Sequence, residues 1–190
     1  MTFDGGGHLT VPVSPGDHVL GPDTAPVTLV EYGDYECPYC GAAHPIVQAI
    51  VDRLGDDLCY VFRHFPLAQA HPHAQQAAEA AEAAGAQGKF WEVHDLLYEH
   101  QTALDGPHLL TYADALGLDV ERFASDLASH VHADRVRQDF MSGVRSGVNG
   151  TPTFFINGRR HDGPHDLRGL LAAITTAAAA SPTFIPGGIR

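Results

Sequence analysis

Two cysteines separated by two residues are the clearest chemical signal in this sequence. Cys37 and Cys40 enclose Pro38 and Tyr39, and a pattern of apolar residues at helical spacing follows them. Residues three positions apart lie on the same side of a helix, so the two sulfur atoms can meet and form a disulfide. At a helix start, unpaired N–H groups and the helix dipole stabilise a thiolate. We therefore expect Cys37 to be the nucleophile, and Cys40, which lies one turn further in, to resolve the mixed disulfide.

The same cysteine spacing also occurs in zinc sites. A structural zinc site needs four ligands, usually with a second pair of cysteines or histidines. Cys59 has no neighbouring cysteine, and none of the 13 histidines stands at a suitable spacing. We therefore predict no metal site and no cofactor, and we interpret Cys59 as a small buried apolar side chain. The histidines, including His44, His64 and His94, are expected to be surface groups or hydrogen-bonded core groups rather than ligands.

The segments around the cysteine pair predict a strand–helix–strand unit. Residues 27–32 (VTLVEY) are β-branched and nearly all apolar, as in a strand that is buried on both faces. Pro38 suits the first turn of the helix, where the N–H that proline lacks has no partner. Residues 58–62 (LCYVF) predict a second strand, which should run parallel to the first because a helix connects them. This context favours redox chemistry for the cysteine pair.

A long helical region follows, and the sheet then resumes. Apolar residues at helical spacing predict several helices between residues 71 and 147, and glycines punctuate them. Residues 153–156 (TFFI) predict a strand, and Asn157-Gly158 is a two-residue hairpin signal that leads into a returning strand. Residues 167–174 predict a last helix.

These segments together resemble the DsbA family of the thioredoxin superfamily. The resemblance is carried by VTLVEYGDYE before CPYC, by the helical region and by VNGTPTFFINGRR after it. It implies an α/β thioredoxin fold, with a central mixed sheet flanked by helices and an all-helical subdomain inserted between the βαβ and ββα halves. The implied division is an N-terminal arm, the thioredoxin domain in two pieces, the insertion and a tail, at residues 1–26, 27–70 with 148–178, 71–147 and 179–190. Within the arm we expect a short strand around Leu9–Val13.

The resemblance also assigns residues around the cysteine pair. Members of the fold place a cis-proline before the third strand, facing the active-site helix, and Thr151-Pro152 stands at that position, where backbone can pair with an extended substrate. The family also carries a buried acid six residues before the first cysteine, which is Glu31 here. Burial raises a carboxyl pKa, so such a group can take the proton from the Cys40 thiol. We interpret Glu36 as a solvated loop residue.

The residue before the second cysteine departs from the strongest oxidants of the family. Those proteins have a histidine where this sequence has Tyr39, and tyrosine supplies no positive charge to the thiolate. We therefore expect a reduction potential below the roughly −120 mV of DsbA, near the range of about −230 to −180 mV of glutaredoxins and disulfide isomerases. The CPYC segment is shared with glutaredoxins, but those proteins are shorter and lack the helical insertion.

The charge of the chain limits its partners. Asp and Glu number 23 against 11 Lys and Arg, and the net charge of −12 disfavours nucleic acid and anionic membrane surfaces. The N-terminus lacks the cationic start and apolar segment of a signal peptide, which predicts a cytoplasmic protein and leaves a processed exported form open. The expected partners are protein or peptide thiols and disulfides, with low-molecular-weight thiols as an alternative. We expect a monomer, because no separate dimerisation domain is recognisable.

Three functions remain open at this stage. The leading hypothesis is a thiol–disulfide oxidoreductase acting on protein disulfides, with the direction of electron flow set by the compartment. The second is a small-thiol-dependent isomerase or glutaredoxin-like enzyme on the same fold. The third is a binding module, which is either a redox-inert thioredoxin scaffold without the exchange activity or a metal site that uses Cys37 and Cys40.

Overall fold

Five strands form one mixed sheet in the part of the chain that a computed structural model describes, residues 7–180. In chain order the strands are β1 (His18–Leu20), β2 (Val27–Gly33), β3 (Leu58–His64), β4 (Thr153–Ile156) and β5 (Arg159–His161). Their order across the sheet is β1-β3-β2-β4-β5. The pair β2 and β3 is parallel, as predicted, and the other neighbouring pairs are antiparallel. This arrangement confirms the predicted thioredoxin fold.

Seven α-helices flank this sheet within the described residues. They are α1 (Pro38–Leu54), α2 (Ala74–Gly85), α3 (Phe90–Glu99), α4 (Gly106–Ala115), α5 (Val120–Ala128), α6 (Ala133–Arg145) and α7 (Leu167–Ala180). Helix α1 connects the two parallel strands, and α2 to α6 all lie between β3 and β4. The helical insertion predicted from the apolar spacing is therefore present. No helix among residues 7–180 combines the length and apolar character needed to cross a membrane.

The side chains of β2 alternate between two cores, because successive residues of a strand point to opposite faces. Leu29 belongs to the larger core, which also contains Cys40 and residues of the inserted helices. Val30 and Tyr32 belong to a smaller core on the other face of the sheet. Glu31 stands two residues after Leu29, so its carboxyl group faces the same side of the sheet as the cysteine pair.

The strand expected around Leu9–Val13 is wrong, because the first strand is His18–Leu20 instead. The reason is the buried Arg63 of β3, whose guanidinium donates hydrogen bonds to the carbonyl oxygens of Val11 and Pro12, both at 2.9 Å. These carbonyl groups therefore bond to a side chain rather than to a neighbouring strand. The same guanidinium forms an ion pair with Asp17 at 2.7 Å, which fixes the segment just before β1.

The predicted hairpin between the last two strands is confirmed. Asn157 and Gly158 both have positive φ angles, 47° and 78°, as a two-residue hairpin turn between β4 and β5 requires. Helix α1 continues through Pro45 without interruption. The predicted tail begins at residue 179 while α7 ends at Ala180, and the rest of the tail and residues 1–6 of the predicted arm lie outside the described residues.

Candidate active site

The cysteine pair lies where β2 ends and α1 begins. Cys37 is the N-cap of α1 with an extended backbone, and Pro38 occupies the first turn. Both cysteines are free thiols, and they are buried, with 4% of Cys37 and none of Cys40 exposed. Tyr39 between them is 74% exposed. The N-cap position predicted for Cys37 is therefore present, and the dipeptide between the cysteines faces solvent.

The surroundings of Cys37 favour its thiolate. A hydrogen bond from the Cys40 thiol is the largest cause that lowers the pKa of Cys37, and the side chain of Thr151 and the backbone N–H groups of Tyr39 and Cys40 add to it. Burial acts in the opposite direction, but the pKa of Cys37 still falls from 9.0 to about 5. The backbone N–H groups are those of the first turn of α1, which have no partner within the helix. Cys37 is therefore mainly ionised at neutral pH.

Cys40 has the opposite character. Burial raises its pKa well above the ordinary value, and the Cys37 side chain and the negative charge of Glu31 raise it further. Cys40 therefore stays a thiol at neutral pH, and it becomes a nucleophile only when a base removes its proton. The pair is asymmetric, with one ionised sulfur and one protonated sulfur one helical turn behind it.

Thr151 and Pro152 lie beside the cysteine pair, although they come much later in the sequence. The peptide bond between them is cis, as the resemblance implied. The Cys37 thiol donates a hydrogen bond to the carbonyl oxygen of Thr151 at 3.4 Å. Both residues are partly exposed and precede β4 directly. The backbone of Thr151 therefore lies beside Cys37 Sγ.

Glu31 is buried in the sheet behind the cysteine pair, with 2% of its surface exposed. Tyr60 of the neighbouring strand β3 donates a hydrogen bond to its carboxylate at 2.8 Å. Burial raises the pKa of Glu31 to about 7, although the hydrogen bond from Tyr60 opposes this shift. A carboxyl group with a pKa near neutrality can both accept and release a proton under physiological conditions.

Two carboxylates of the loop before Cys37 were not recognised from the sequence as anchoring groups. Asp34 is buried and accepts hydrogen bonds from the backbone N–H of Leu67 at 2.8 Å and from His71 Nδ1 at 2.7 Å. Glu36, expected to be solvated, instead pairs with the ring of His73 at 2.9 Å and accepts a bond from its backbone N–H. The expectation for Glu36 is wrong because the segment after β3 folds over this loop.

Gln101 also supports the site from the helical insertion. Its side-chain N–H₂ donates to the carbonyl oxygens of Tyr35 and Cys37, both at 2.8 Å. Gly41 makes room for it, because a Cβ atom there would lie 2.0 Å from the side-chain oxygen of Gln101. Gly41, a glycine inside a predicted helix, was the one feature of the sequence that could have indicated this contact. No motif or spacing in the sequence points to Gln101.

Cys59 lies on the opposite face of the sheet from the cysteine pair. It is 3% exposed and packs in the smaller core with Val30 and Phe155. Burial raises its pKa, so it is less reactive than an exposed thiol. Its position fits the prediction of a small buried apolar side chain. Within residues 7–180, the groups of side chains close enough to bind a metal ion include none of the cysteines.

Several known proteins are similar to this chain. The family model described as thioredoxin matches residues 13–176. Among curated proteins, the Na⁺/H⁺ antiporter NhaA 3 of Salinispora tropica is 53% identical over 182 residues, or 95% of this chain and 28% of that protein. The Na⁺/H⁺ antiporter NhaA 1 of Salinispora arenicola is 53% identical over 174 residues, or 91% of this chain and 26% of that protein. The chain thus spans about a quarter of the length of these curated relatives.

Solved structures show the same fold over most of their length. A thioredoxin-like oxidoreductase from Silicibacter pomeroyi is 30% identical, with a TM-score of 0.74, and the match covers 88% of this chain and 95% of that one. BdbD from Bacillus subtilis has a TM-score of 0.81 at 24% identity, with 92% and 97% of the two chains covered. DsbA1 of Wolbachia pipientis has a TM-score of 0.76 at 21% identity, with 90% and 95% covered. The chain therefore belongs to the thioredoxin family, and its fold is that of DsbA-like oxidoreductases.

Proposed function

We propose that this chain exchanges thiols and disulfides with protein or peptide substrates through Cys37 and Cys40. The observation that carries this proposal is the asymmetry of the pair. The pKa of Cys37 falls to about 5, whereas that of Cys40 is raised well above its ordinary value. A structural cysteine pair needs no such difference, but a pair that attacks and then resolves does.

The exchange proceeds in two balanced steps. The Cys37 thiolate attacks one sulfur of a substrate disulfide, forms a mixed disulfide and releases the other substrate sulfur as a thiolate, which takes up a proton. Cys40 then loses its proton and attacks Cys37 Sγ, which releases the second substrate thiolate and leaves a Cys37–Cys40 disulfide. The substrate gains two electrons and the dithiol loses two. The same steps in reverse oxidise a substrate dithiol.

Glu31 is the proposed base for the second step. Its charge raises the pKa of Cys40, so the carboxylate lies within electrostatic reach of that thiol. Because the pKa of Glu31 is about 7, roughly half of the molecules carry the basic form at neutral pH. Proton removal from Cys40 then coincides with its attack on the mixed disulfide.

The backbone beside Pro152 supports a polypeptide substrate. The Thr151 carbonyl lies next to Cys37 Sγ, and an extended peptide could pair with it as a strand pairs with a sheet edge. A low-molecular-weight thiol would use the cysteine pair without this contact. Protein or peptide disulfides are therefore the proposed substrates. The antiporter names belong to much longer proteins, and we propose thiol exchange, not ion transport, for the segment that this chain matches.

The test uses single cysteine variants of the whole chain and a disulfide-bonded peptide. Cys37→Ser should abolish exchange, and Cys40→Ser should accumulate a mixed disulfide with the peptide, visible as a mass increase of the intact protein. Cys59→Ser is the matched control and should exchange at the rate of the unaltered protein. Full activity of Cys37→Ser would contradict the proposal. Turnover with glutathione disulfide but not with the peptide would favour the small-thiol alternative.

A further inference from the structure

A second group of polar side chains lies between α1 and α3. His44 comes from α1, one helical turn after Cys40, and His94 and Asp95 come from α3. All three line a pocket of about 270 Å³, which Gln48 and Asp52 also line. The exchange chemistry proposed above uses none of these residues.

The three side chains converge on one point. One ring nitrogen from each histidine and one carboxylate oxygen of Asp95 all lie within 4.8 Å of one another. His44 Nε2 is 3.4 Å from the nearer oxygen of Asp95. A zinc ion with bonds of about 2.1 Å needs its ligand atoms about 3.4 Å apart in a tetrahedral arrangement. The side chain of Asp95 is 44% exposed and can make the remaining adjustment.

His44 carries the strongest indication of a missing partner. The residue is 7% exposed, yet apart from the 3.4 Å contact with Asp95, which is not a hydrogen bond, its Nε2 atom has no partner among the described residues. A buried polar atom without a partner costs free energy, so native structures rarely keep one without a role.

The other two side chains are oriented by hydrogen bonds from outside the group. The Tyr35 hydroxyl lies 3.0 Å from His94 Nδ1 and fixes the plane of that ring. Gln48 donates to the carboxylate of Asp95 at 3.2 Å. Partners of this kind hold metal ligands in position in known sites.

We propose that His44, His94 and Asp95 bind a divalent transition-metal ion, with Zn²⁺ as the best match to their chemistry. Two imidazoles and one carboxylate are a common ligand set for Zn²⁺, and three protein ligands leave the fourth position for water from the pocket. Such an ion would join α1 to the helical insertion one turn beyond the cysteine pair.

The one other candidate group in residues 7–180 fits a metal ion less well. It consists of His18, His64 and Glu82, and the two ring Nε2 atoms already bond to the same carboxylate oxygen at 2.8 and 2.9 Å. Arg135 also lies 3.9 Å from that oxygen, and its positive charge opposes a second cation. The atoms of this group that face one another are therefore already joined by hydrogen bonds.

The test measures zinc binding in a variant that lacks the thiols. Cys37→Ser and Cys40→Ser are combined in the whole chain, because a free dithiol would bind zinc by itself. We expect this protein to retain one equivalent of Zn²⁺ after dialysis, and titration calorimetry to give a single site. His44→Gln and Asp95→Asn in the same background should each weaken binding at least tenfold. His108→Gln, which alters an exposed histidine paired with Asp105, is the matched control and should leave binding unchanged.

Two further readouts keep the test independent of folding. Zn²⁺ should raise the melting temperature of the thiol-free protein, because it binds only the folded state, and should leave that of Asp95→Asn unchanged. Asp95→Asn alters a partly exposed side chain and is therefore expected to fold. If His44→Gln does not fold, zinc binding is compared in Asp95→Asn alone. No stoichiometric binding in the thiol-free protein, or equal binding after both substitutions, would overturn the proposal. Neither result bears on the thiol exchange proposed for Cys37 and Cys40, which is tested separately.

Discussion

The Cys37 thiol lies 3.4 Å from the carbonyl oxygen of Thr151, although the two residues are 114 positions apart in the sequence. A thiol can donate a hydrogen bond to this oxygen, but a thiolate or a disulfide sulfur cannot. Ionisation or oxidation of Cys37 therefore leaves the carbonyl free to accept a hydrogen bond from another donor. The state of the sulfur and the availability of the Thr151 carbonyl are thus coupled.

The first prediction concerns the reactivity of Cys37. In a Cys59→Ser background, the alkylation rate should rise with pH around a midpoint of about 5, because only the thiolate reacts. Adding Cys40→Ala should move this midpoint towards the ordinary value of 9.0, since the Cys40 hydrogen bond is the largest cause of the lowered pKa. Mass spectrometry of samples quenched at several pH values measures both rates. Equal midpoints for the two proteins would contradict the assignment.

The second prediction links the same thiolate to stability. Between about pH 5 and pH 9 the unfolded chain keeps a proton on Cys37 that the folded, reduced protein has lost. The stability of the reduced form relative to the oxidised form should therefore rise with pH in this window, by at most about 1.4 kcal/mol per pH unit for one proton. Groups that titrate alike in both forms cancel in the comparison. Denaturant unfolding of both forms at several pH values measures the difference, and parallel pH profiles would refute it.

The third prediction concerns the second step of exchange. Glu31→Gln should slow the attack of Cys40 on the mixed disulfide by about a hundredfold, the lower end of the range for a positioned base. In the unaltered protein this step should speed up as pH rises through about 7, where Glu31 loses its proton, and the variant should lack that rise. Rapid mixing of a preformed mixed disulfide isolates the step. A merely structural role would change the rate without removing its dependence on pH.

The fourth prediction concerns the buried ion pair that fixes the N-terminal segment. Arg63 and Asp17 are only 2% and 5% exposed at their side chains, so Asp17→Asn should destabilise the protein by about 3–5 kcal/mol by leaving a buried charge without its partner. Arg122 and Asp126 form a more exposed pair and provide the control, with Asp126→Asn expected to cost less than about 1 kcal/mol. Denaturant unfolding measures both. Similar losses at the two pairs would contradict the assigned role of Arg63.

The fifth prediction concerns the support of the active-site loop from the insertion. Gln101→Ala should cost about 1–3 kcal/mol, because it removes the donor to the Tyr35 carbonyl and leaves the Cys37 carbonyl with only the Gly41 N–H. Gln87→Ala also removes two bonds, both to the backbone of Asp119, but that residue is exposed and water can replace the glutamine, so the stability should change by less. Alkylation of Cys37 at a fixed pH then reports whether the loop has moved. Unchanged stability in Gln101→Ala would show that the two contacts contribute little.

Much of the fold followed from local patterns. The apolar run in β2, the helical spacing in α1 and the Asn157-Gly158 turn each depend on neighbouring residues, so the sequence was enough to predict them. The strand expected around Leu9–Val13 was misplaced because a distant arginine takes the backbone carbonyls of that segment. The prediction that Glu36 is solvated was wrong for a similar reason. Its hydrogen-bond partner, His73, belongs to a segment much further along the chain.

The sequence by itself determined the chemistry of this protein, and the tertiary structure decided how that chemistry is arranged. The cysteine spacing and the helix start predicted an attacking and a resolving thiol, because both depend on interactions within one turn. The contact with Thr151, the support from Gln101 and the convergence of His44 with His94 and Asp95 join residues that are far apart in the chain. Such contacts depend on how whole helices and strands pack against one another. The spacing of residues within one segment of the sequence does not predict that packing.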